Sequence, residues 1–263
     1  MAILLFGRAT AFFVLGATCA TGVAAQEAPR RTRIAAGPQL VPRFPGAKGV
    51  VVRPFLDFSR VRGDQVFQFE AADESSSTSI VQNSGFAVGP AVNLEGSRRT
   101  RDVPGVPKVG FTVEAGGFAQ YTASALPMRG RVELRQGIGG HKGLIGVASL
   151  DYVARDADEW LFAIGPRVTY SNGKYQRAYF GVPVESVGTS GLAAYRPSGG
   201  VHAVGATASY LKQLSRHWGV STYAKYDRLV DDAADSPVVR RYGSRNQWSG
   251  GLALSYTFFG RAN

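Results

Sequence analysis

The strongest pattern along this chain is an alternation of apolar with small or polar residues, and it is clearest near the C-terminus. Leu252, Leu254, Tyr256 and Phe258 alternate with Gly251, Ala253, Ser255 and Thr257. The same period of two runs through Phe86, Val88, Pro90, Val92 and Leu94, through Phe111 to Tyr121, and through Trp160, Phe162, Ile164, Pro166, Val168 and Tyr170. Successive side chains of a strand point to opposite faces, so each run predicts a strand with one greasy face and one small or polar face. The strand of a soluble sandwich also alternates, and length separates the two. These runs last about 9 to 13 residues, the reach a tilted strand needs to cross a bilayer, whereas soluble strands average about 5 or 6.

Aromatic residues sit where the two membrane interfaces would lie. Trp160 and Tyr170 bracket one apolar face, and Trp218 and Tyr226 bracket another, the spacing expected of two interfacial girdles. The period then sorts the side chains. Val88, Phe162, Ile164, Val220, Leu252 and Leu254 are expected toward lipid. Glu114, Arg167, Ser221, Tyr223, Lys225 and Asp227 are expected inside, where Phe118 joins them. An Arg or Lys at mid-membrane on the lipid side costs roughly 2 to 4 kcal/mol, which argues for this sorting.

The connections complete the prediction. Short turns are read at Arg62-Gly63-Asp64, Asn83-Ser84-Gly85, Ala125-Leu126-Pro127, Arg155 to Asp158 and Ser215-Arg216; longer ones run from about Gly96 to Lys108, Ser171 to Ser198 and Val230 to Asn246. If the last strand ends in the periplasm, every long connection is outside. The fold class expected is all-β: a transmembrane antiparallel up-and-down β-barrel of about twelve strands, with ten as the alternative because Glu70 to Val81 is poorly patterned. A Gly-Pro pair recurs at Pro38, Pro90 and Pro166. Proline has no N–H to give a strand ladder, so bulges or lost ladder bonds are expected there.

Composition agrees with many turns and an aromatic belt: the 263 residues include 33 Gly, 15 Phe, 11 Tyr and 3 Trp but only 2 Met. A soluble all-β sandwich fits those counts equally well, and only strand length and aromatic placement set it aside. Met1 to Ala25 has the layout of a cleaved signal peptide, with Arg8 before an apolar run and small residues at Val23 and Ala25. The expected division is therefore residues 1–25 as leader and 26–263 as barrel. The single cysteine, Cys19, falls in that leader, so no disulfide or thiolate ligand is expected afterwards. No later stretch approaches the ~18 consecutive apolar residues of a spanning helix.

The formal charge is +11, which in a cytosolic protein would suggest nucleic acid. Here the basic residues are scattered or lie in loop-like clusters, Arg98, Arg99, Arg101 with Lys108 and Arg240, Arg241 with Arg245. A solvated or anionic-lipid-facing loop is the economical reading, and no nucleic-acid partner is expected. Candidate chemistry is sparse. His141, His202 and His217 have no Ser or acidic neighbour at close spacing that suggests a nucleophile and base. Asp231, Asp232 and Asp235 read as a solvated turn. Gly137-Ile138-Gly139-Gly140 does not open a helix as a phosphate loop must, and metal-ligand spacing is absent. The expectation is a protein without catalytic, cofactor or metal site, so not an enzyme.

The second half also resembles the MipA/OmpV family of outer-membrane proteins. The resemblance rests on Ala178-Tyr179-Phe180-Gly181-Val182, Ser190 to Tyr195, Ala208-Ser209-Tyr210, His217-Trp218-Gly219-Val220, Tyr226-Asp227-Arg228-Leu229, Asp235 to Val239 and Ser255-Tyr256-Thr257-Phe258. It implies a cell outer membrane barrel, in contact with lipid and lipopolysaccharide. In the namesake, the barrel is a scaffold that joins a murein-hydrolysing lytic transglycosylase to a bifunctional murein synthase. Three expectations follow: an adaptor barrel as the preferred one, a small-solute channel as the alternative, and a lipid-modifying or proteolytic barrel. The last would need a His paired with Ser or a carboxylate at the rim.

Overall fold

The computed structural model describes residues 29–260; the expected leader lies outside them. The chain opens with β1 (Arg30–Pro42) and β2 (Val50–Arg62), continues through two short strands, β3 (Ser76–Ser77) and β4 (Val81–Asn83), and then forms eight long ones. These are β5 (Phe86–Glu95), β6 (Thr112–Thr122), β7 (Met128–Gly139), β8 (Leu144–Asp156), β9 (Trp160–Ser171), β10 (Gly200–Gln213), β11 (Trp218–Leu229) and β12 (Asn246–Phe259). The expected count of about twelve is thus met by ten long strands and two fragments. From β5 to β12 each strand pairs antiparallel with the next, and β12 pairs back onto β1, with Thr32 opposite Phe258 and Leu40 opposite Gly250. The result is one curled 12-stranded sheet with β2 at one end and β3 at the other. At the rim the two ends approach through side chains: a Cβ built on Gly96, just past β5, would lie 2.2 Å from the Arg53 guanidinium of β2.

The curl turns the sequence period inside out relative to a soluble core. Leu56 is 73% exposed, Ile164 46% and Leu252 56%, while Glu114 and Arg167 on the opposite face are at 0% and 2%. A band of exposed Val, Leu, Ile and Phe on the outer wall is stable only against lipid. Aromatics bound this band at both ends. Tyr226 packs on Trp248 at one end, ring centroids 4.6 Å apart, and Trp218 on Tyr256 at the other, 4.8 Å apart. A strand of about twelve residues, tilted by about 40°, spans the hydrocarbon thickness between them.

Each Gly-Pro site costs the ladder something, and at Pro38 and Pro166 it does so without a change of register. Between β1 and β12 the pairing lapses at Gly37 and Pro38 and resumes in the same register at Gln39. Between β8 and β9 it lapses opposite Gly165 and Pro166. At Pro90 the β5–β6 ladder is unbroken, and the other edge of β5 carries the break between β3 and β4, with a register shift of one residue.

Four short turns lie at one end of the curl, and the long connections lie at the other. The tightest is Ser84-Gly85, both at positive φ (49° and 84°), the geometry whose twist suits a two-residue hairpin. At the far end the long connections are folded. They carry α1 (Gly173–Phe180), α2 (Val187–Ser190), α3 (Asp231–Asp235) and α4 (Pro237–Tyr242). Asn172 caps α1 by accepting from Tyr175 N at 3.2 Å; Ser236 caps α4 with Pro237 at its first position, both familiar helix starts. These connections share a core in which Phe44, Val103, Tyr179, Phe180, Val182 and Val238 are buried. They form a cap over the mouth of the barrel.

Two sequence expectations need correction. Arg62-Gly63-Asp64 is not a tight turn into a neighbouring strand: after Gly63 the chain enters the lumen and reaches β3 only at Ser76. The cause is electrostatic, because this segment carries the carboxylates that neutralise the inner wall. Arg98 is not a solvated loop residue either. It is 1% exposed and donates to Tyr179 O and Pro107 O, each at 2.7 Å, clamping the 96–111 connection onto α1. Burial pushes its pKa down to about 10.

Candidate functional site

The inner wall is built by the small-or-polar half of each alternating run. On β7 the inward positions are Arg129, Arg131, Glu133, Arg135 and Gly137, a charged stripe at a period of two. β9 adds Arg167, β8 Asp151, β6 Glu114, and β11 Lys225 and Asp227. Buried charges persist only when paired, since removing one partner leaves an uncompensated ion. Many of the partners are neighbours on the wall itself, as in Arg131 with Glu133 and Arg167 with Asp151; the others come from the segment of residues 63–75 that rises through the lumen, here called the plug.

Asp73 is its central anchor. It receives Arg167 Nε at 3.0 Å, Lys225 Nζ at 3.1 Å and Thr207 Oγ1 at 2.9 Å, and so ties β9, β10 and β11 to one carboxylate. Glu74 contacts Arg129 directly, and Arg131 Nε lies 3.7 Å from its other oxygen. Ser75 donates to Glu133 at 2.6 Å. Backbone joins in: Phe69 O accepts from Arg129 at 2.7 Å, and Phe67 N donates to Asp158 at 3.0 Å. Beside the plug, the Arg131 guanidinium lies over the Phe118 ring, 3.8 Å from its centroid.

Toward the cap the network continues through Glu114, which accepts from Arg135 Nε at 3.0 Å and Asn93 at 2.9 Å and meets His141 Nε2 at 3.0 Å. Gly137 makes room for that imidazole; a Cβ there would sit 2.3 Å from the ring. His141 packs edge-on against Tyr175, which in turn packs on Tyr179 and His202. Burial raises the pKa of both tyrosines, so they remain neutral. The upper lumen and the cap are therefore one continuous packed body.

The five inward positions singled out from the sequence, Glu114, Arg167, Tyr223, Lys225 and Asp227, all lie on the inner wall, but the structure divides them. Arg167 and Lys225 meet at Asp73, Asp227 pairs with Lys225 beside them, Glu114 belongs to the upper layer, and Tyr223 donates to Gln39 at 2.6 Å lower down. Sequence reasoning missed Asp73 and Glu74, which sit where no strand period exists. It also missed the β7 stripe, whose period-two charges were visible. Two histidines have tertiary partners that spacing concealed: His141 with Glu114, and His202, whose Nδ1 lies 2.9 Å from Ser171 Oγ. Ser171 is 0% exposed and His202 4%, so this pair is sealed beneath α1. Among the described residues no three His, Cys, Asp or Glu side chains gather as a metal cage.

Three solved structures are similar to this chain at low identity and low TM-score. The chain is similar to the outer membrane protein OprG from Pseudomonas aeruginosa, at 8% identity and a TM-score of 0.27, over 89% of this chain and 97% of that one. It is similar to the β domain of the Bordetella autotransporter Brka at 13% and 0.30, over 89% and 100%. It is similar to the monoaromatic hydrocarbon channel CymD at 11% and 0.33, over 90% of each. No curated relative matches it by sequence. Residues 34–258 match the family described as MltA-interacting protein MipA, a span from within β1 almost to the end of β12, and the chain belongs to that family.

Proposed function

We propose that this outer-membrane barrel acts as a structural adaptor, holding a lytic transglycosylase and a bifunctional murein synthase at its periplasmic face. One observation carries the reading: the lumen is occupied by an ion-paired plug and closed above by a packed cap, so the barrel has no evident path for solute. A channel needs a continuous polar opening, and here Asp73 is paired with Arg167 and Lys225 and Glu74 with Arg129 across it. The family supports the partner class, since its description names a protein that interacts with MltA.

The short-turn end faces the periplasm in this reading. It offers Ser84-Gly85, the 123–127 turn with Leu126 63% exposed, and the 214–217 turn with Leu214 62% exposed. The cap end faces outward, where exposed Arg99, Arg101, Arg240 and Arg241 suit the phosphates of lipopolysaccharide. A barrel enzyme is disfavoured because Ser171 and His202 are shielded from substrate. The test is paired. Purified barrel in planar bilayers should conduct near background, and immobilised barrel should retain a purified lytic transglycosylase. Steady solute-selective conductance with no retention overturns the adaptor and leaves the channel.

A further inference from the structure

The lower half of the lumen, on the short-turn side of the plug, is not filled. A cavity of about 130 Å³ lies there between the plug and the walls of β1, β2 and β9 to β12. In that measure one water needs roughly 10 to 15 Å³, so the space accepts a small organic molecule. Its apolar lining includes Phe55, Phe69, Leu161 and Tyr223.

Its charged lining is unusual. Arg33 of β1 is 7% exposed, its Nε has no hydrogen-bond partner, and its guanidinium lies over the Phe67 ring at 4.4 Å. The charged groups that act on it are Asp57, Asp158, Arg155 and Glu70. Asp158 is already engaged by Arg31 at 3.0 Å and Arg155 at 3.2 Å. Asp57 has only the Ser59 hydroxyl at 3.5 Å, and Glu70 is open to the cavity. Among the described residues, then, a buried guanidinium and two carboxylates share one cavity without closing an ion pair at 4.0 Å or less. Elsewhere in this lumen such groups do close. A buried, unsatisfied guanidinium is costly, and the separation leaves space for something that satisfies both signs.

We propose that this cavity binds a compact organic zwitterion with an apolar body, its anionic group on Arg33, its ammonium on Asp57 and Glu70, and its body against Phe55, Phe69 and Tyr223. A free amino-acid-like solute and the headgroup of a zwitterionic phospholipid share that chemistry. A purely anionic ligand would meet two carboxylates, and a purely cationic one would leave Arg33 unpaired.

The test uses calorimetric titration of the folded barrel in detergent with phenylalanine, phenylacetate and phenethylamine. A second arm measures phosphatidylethanolamine retained by the barrel, by native mass spectrometry, against phosphatidylglycerol. In whichever arm binds, the zwitterion should be favoured by at least about ten-fold over a singly charged analogue, the scale of one charge-assisted hydrogen bond. Arg33→Gln should abolish that preference. Glu70→Gln, at a side chain that makes no hydrogen bond or ion pair among the described residues, should weaken zwitterion binding and strengthen anion binding, because one of the two carboxylates an anion would meet is gone, which keeps the test valid if the Arg33 variant fails to fold. Saturable binding in the first arm identifies a solute, and selective retention in the second a lipid. No binding in either arm, or binding indifferent to Glu70→Gln and to ligand charge, overturns the proposal.

Discussion

Asp73 and Arg167 stand 94 positions apart and meet at two contacts, Oδ2 to Nε at 3.0 Å and Oδ1 to Nη2 at 3.2 Å. One carboxylate of an irregular segment thereby fixes the inward cation of a regular strand. Asp73→Ala leaves Arg167 with Asp151 and Lys225 with Asp227, removing the shared counter-charge of two buried cations. Loss of one member of such a buried network costs about 3–5 kcal/mol. Urea unfolding in lipid vesicles should show a drop of that order. Protease should then cut between Asp64 and Ser75, where the parent barrel resists.

The cap depends on a different cation. Arg98 feeds two buried carbonyls in a fork, and the compact ammonium of lysine cannot reproduce that geometry. Arg98→Ala should cost about 1–3 kcal/mol per carbonyl left without a donor, and Arg98→Lys should recover only part of it. Limited proteolysis in residues 99–108 will report the loosening, while heat-modifiability of the barrel on gels should persist because the strands are untouched.

Acid should act on one outer loop selectively. The Ser198 amide and hydroxyl donate to Asp232 at 2.7 and 2.8 Å and hold its carboxyl below the ordinary 3.8. A depressed carboxylate contributes stability that is fully present above its unfolded pKa and is lost as pH falls through the lower folded value. Hydrogen exchange at the Ser198 amide should therefore accelerate, relative to its intrinsic rate, only below about pH 3.8. Asp232→Asn should remove that pH dependence.

Register gives a sharper mutational contrast. Ile164 points to lipid and Thr169 to the lumen from the same strand, so Ile164→Arg should cost about 2–4 kcal/mol in a bilayer and Thr169→Lys distinctly less. Equal effects on unfolding in vesicles would mean that the outward face is not in lipid.

These contrasts mark what the sequence made legible. Where side chains alternate between lipid and lumen, as in Trp160 to Tyr170, one period specifies strand, face and length together. Residues 63–75 have no such constraint. Their environment is a set of side chains contributed by β7 to β11, so Asp73 and Glu74 look like solvated loop acids until the wall closes around them. The β7 stripe was legible in principle, because three arginines and a glutamate at alternate positions cannot all face lipid. The cap lay between these cases: Asn172 and Ser236-Pro237 are readable helix starts, but the buried destination of Arg98 depends on α1 folding over it.

The plug and the cap are barriers in series, and series barriers make a prediction that neither makes alone. Releasing the plug with Asp73→Ala and Glu74→Ala removes its carboxylate anchors to β7, β9 and β11 but leaves Phe180, Val103 and Val238 packed over the mouth. Replacing residues 98–108 by a Gly-Ser tract breaches that cap but leaves the lumen ion-paired. Each change alone should keep planar-bilayer conductance near background, whereas the combination should yield discrete openings. Those openings should favour anions, because freeing Arg129, Arg131 and Arg167 of plug carboxylates makes the wall net positive. If the plug variant conducts without the cap change, the cap is not a barrier and the plug alone closes the lumen, so the series arrangement fails. If the combination stays silent, the lumen is closed by the wall itself, and the adaptor reading gains an independent reason.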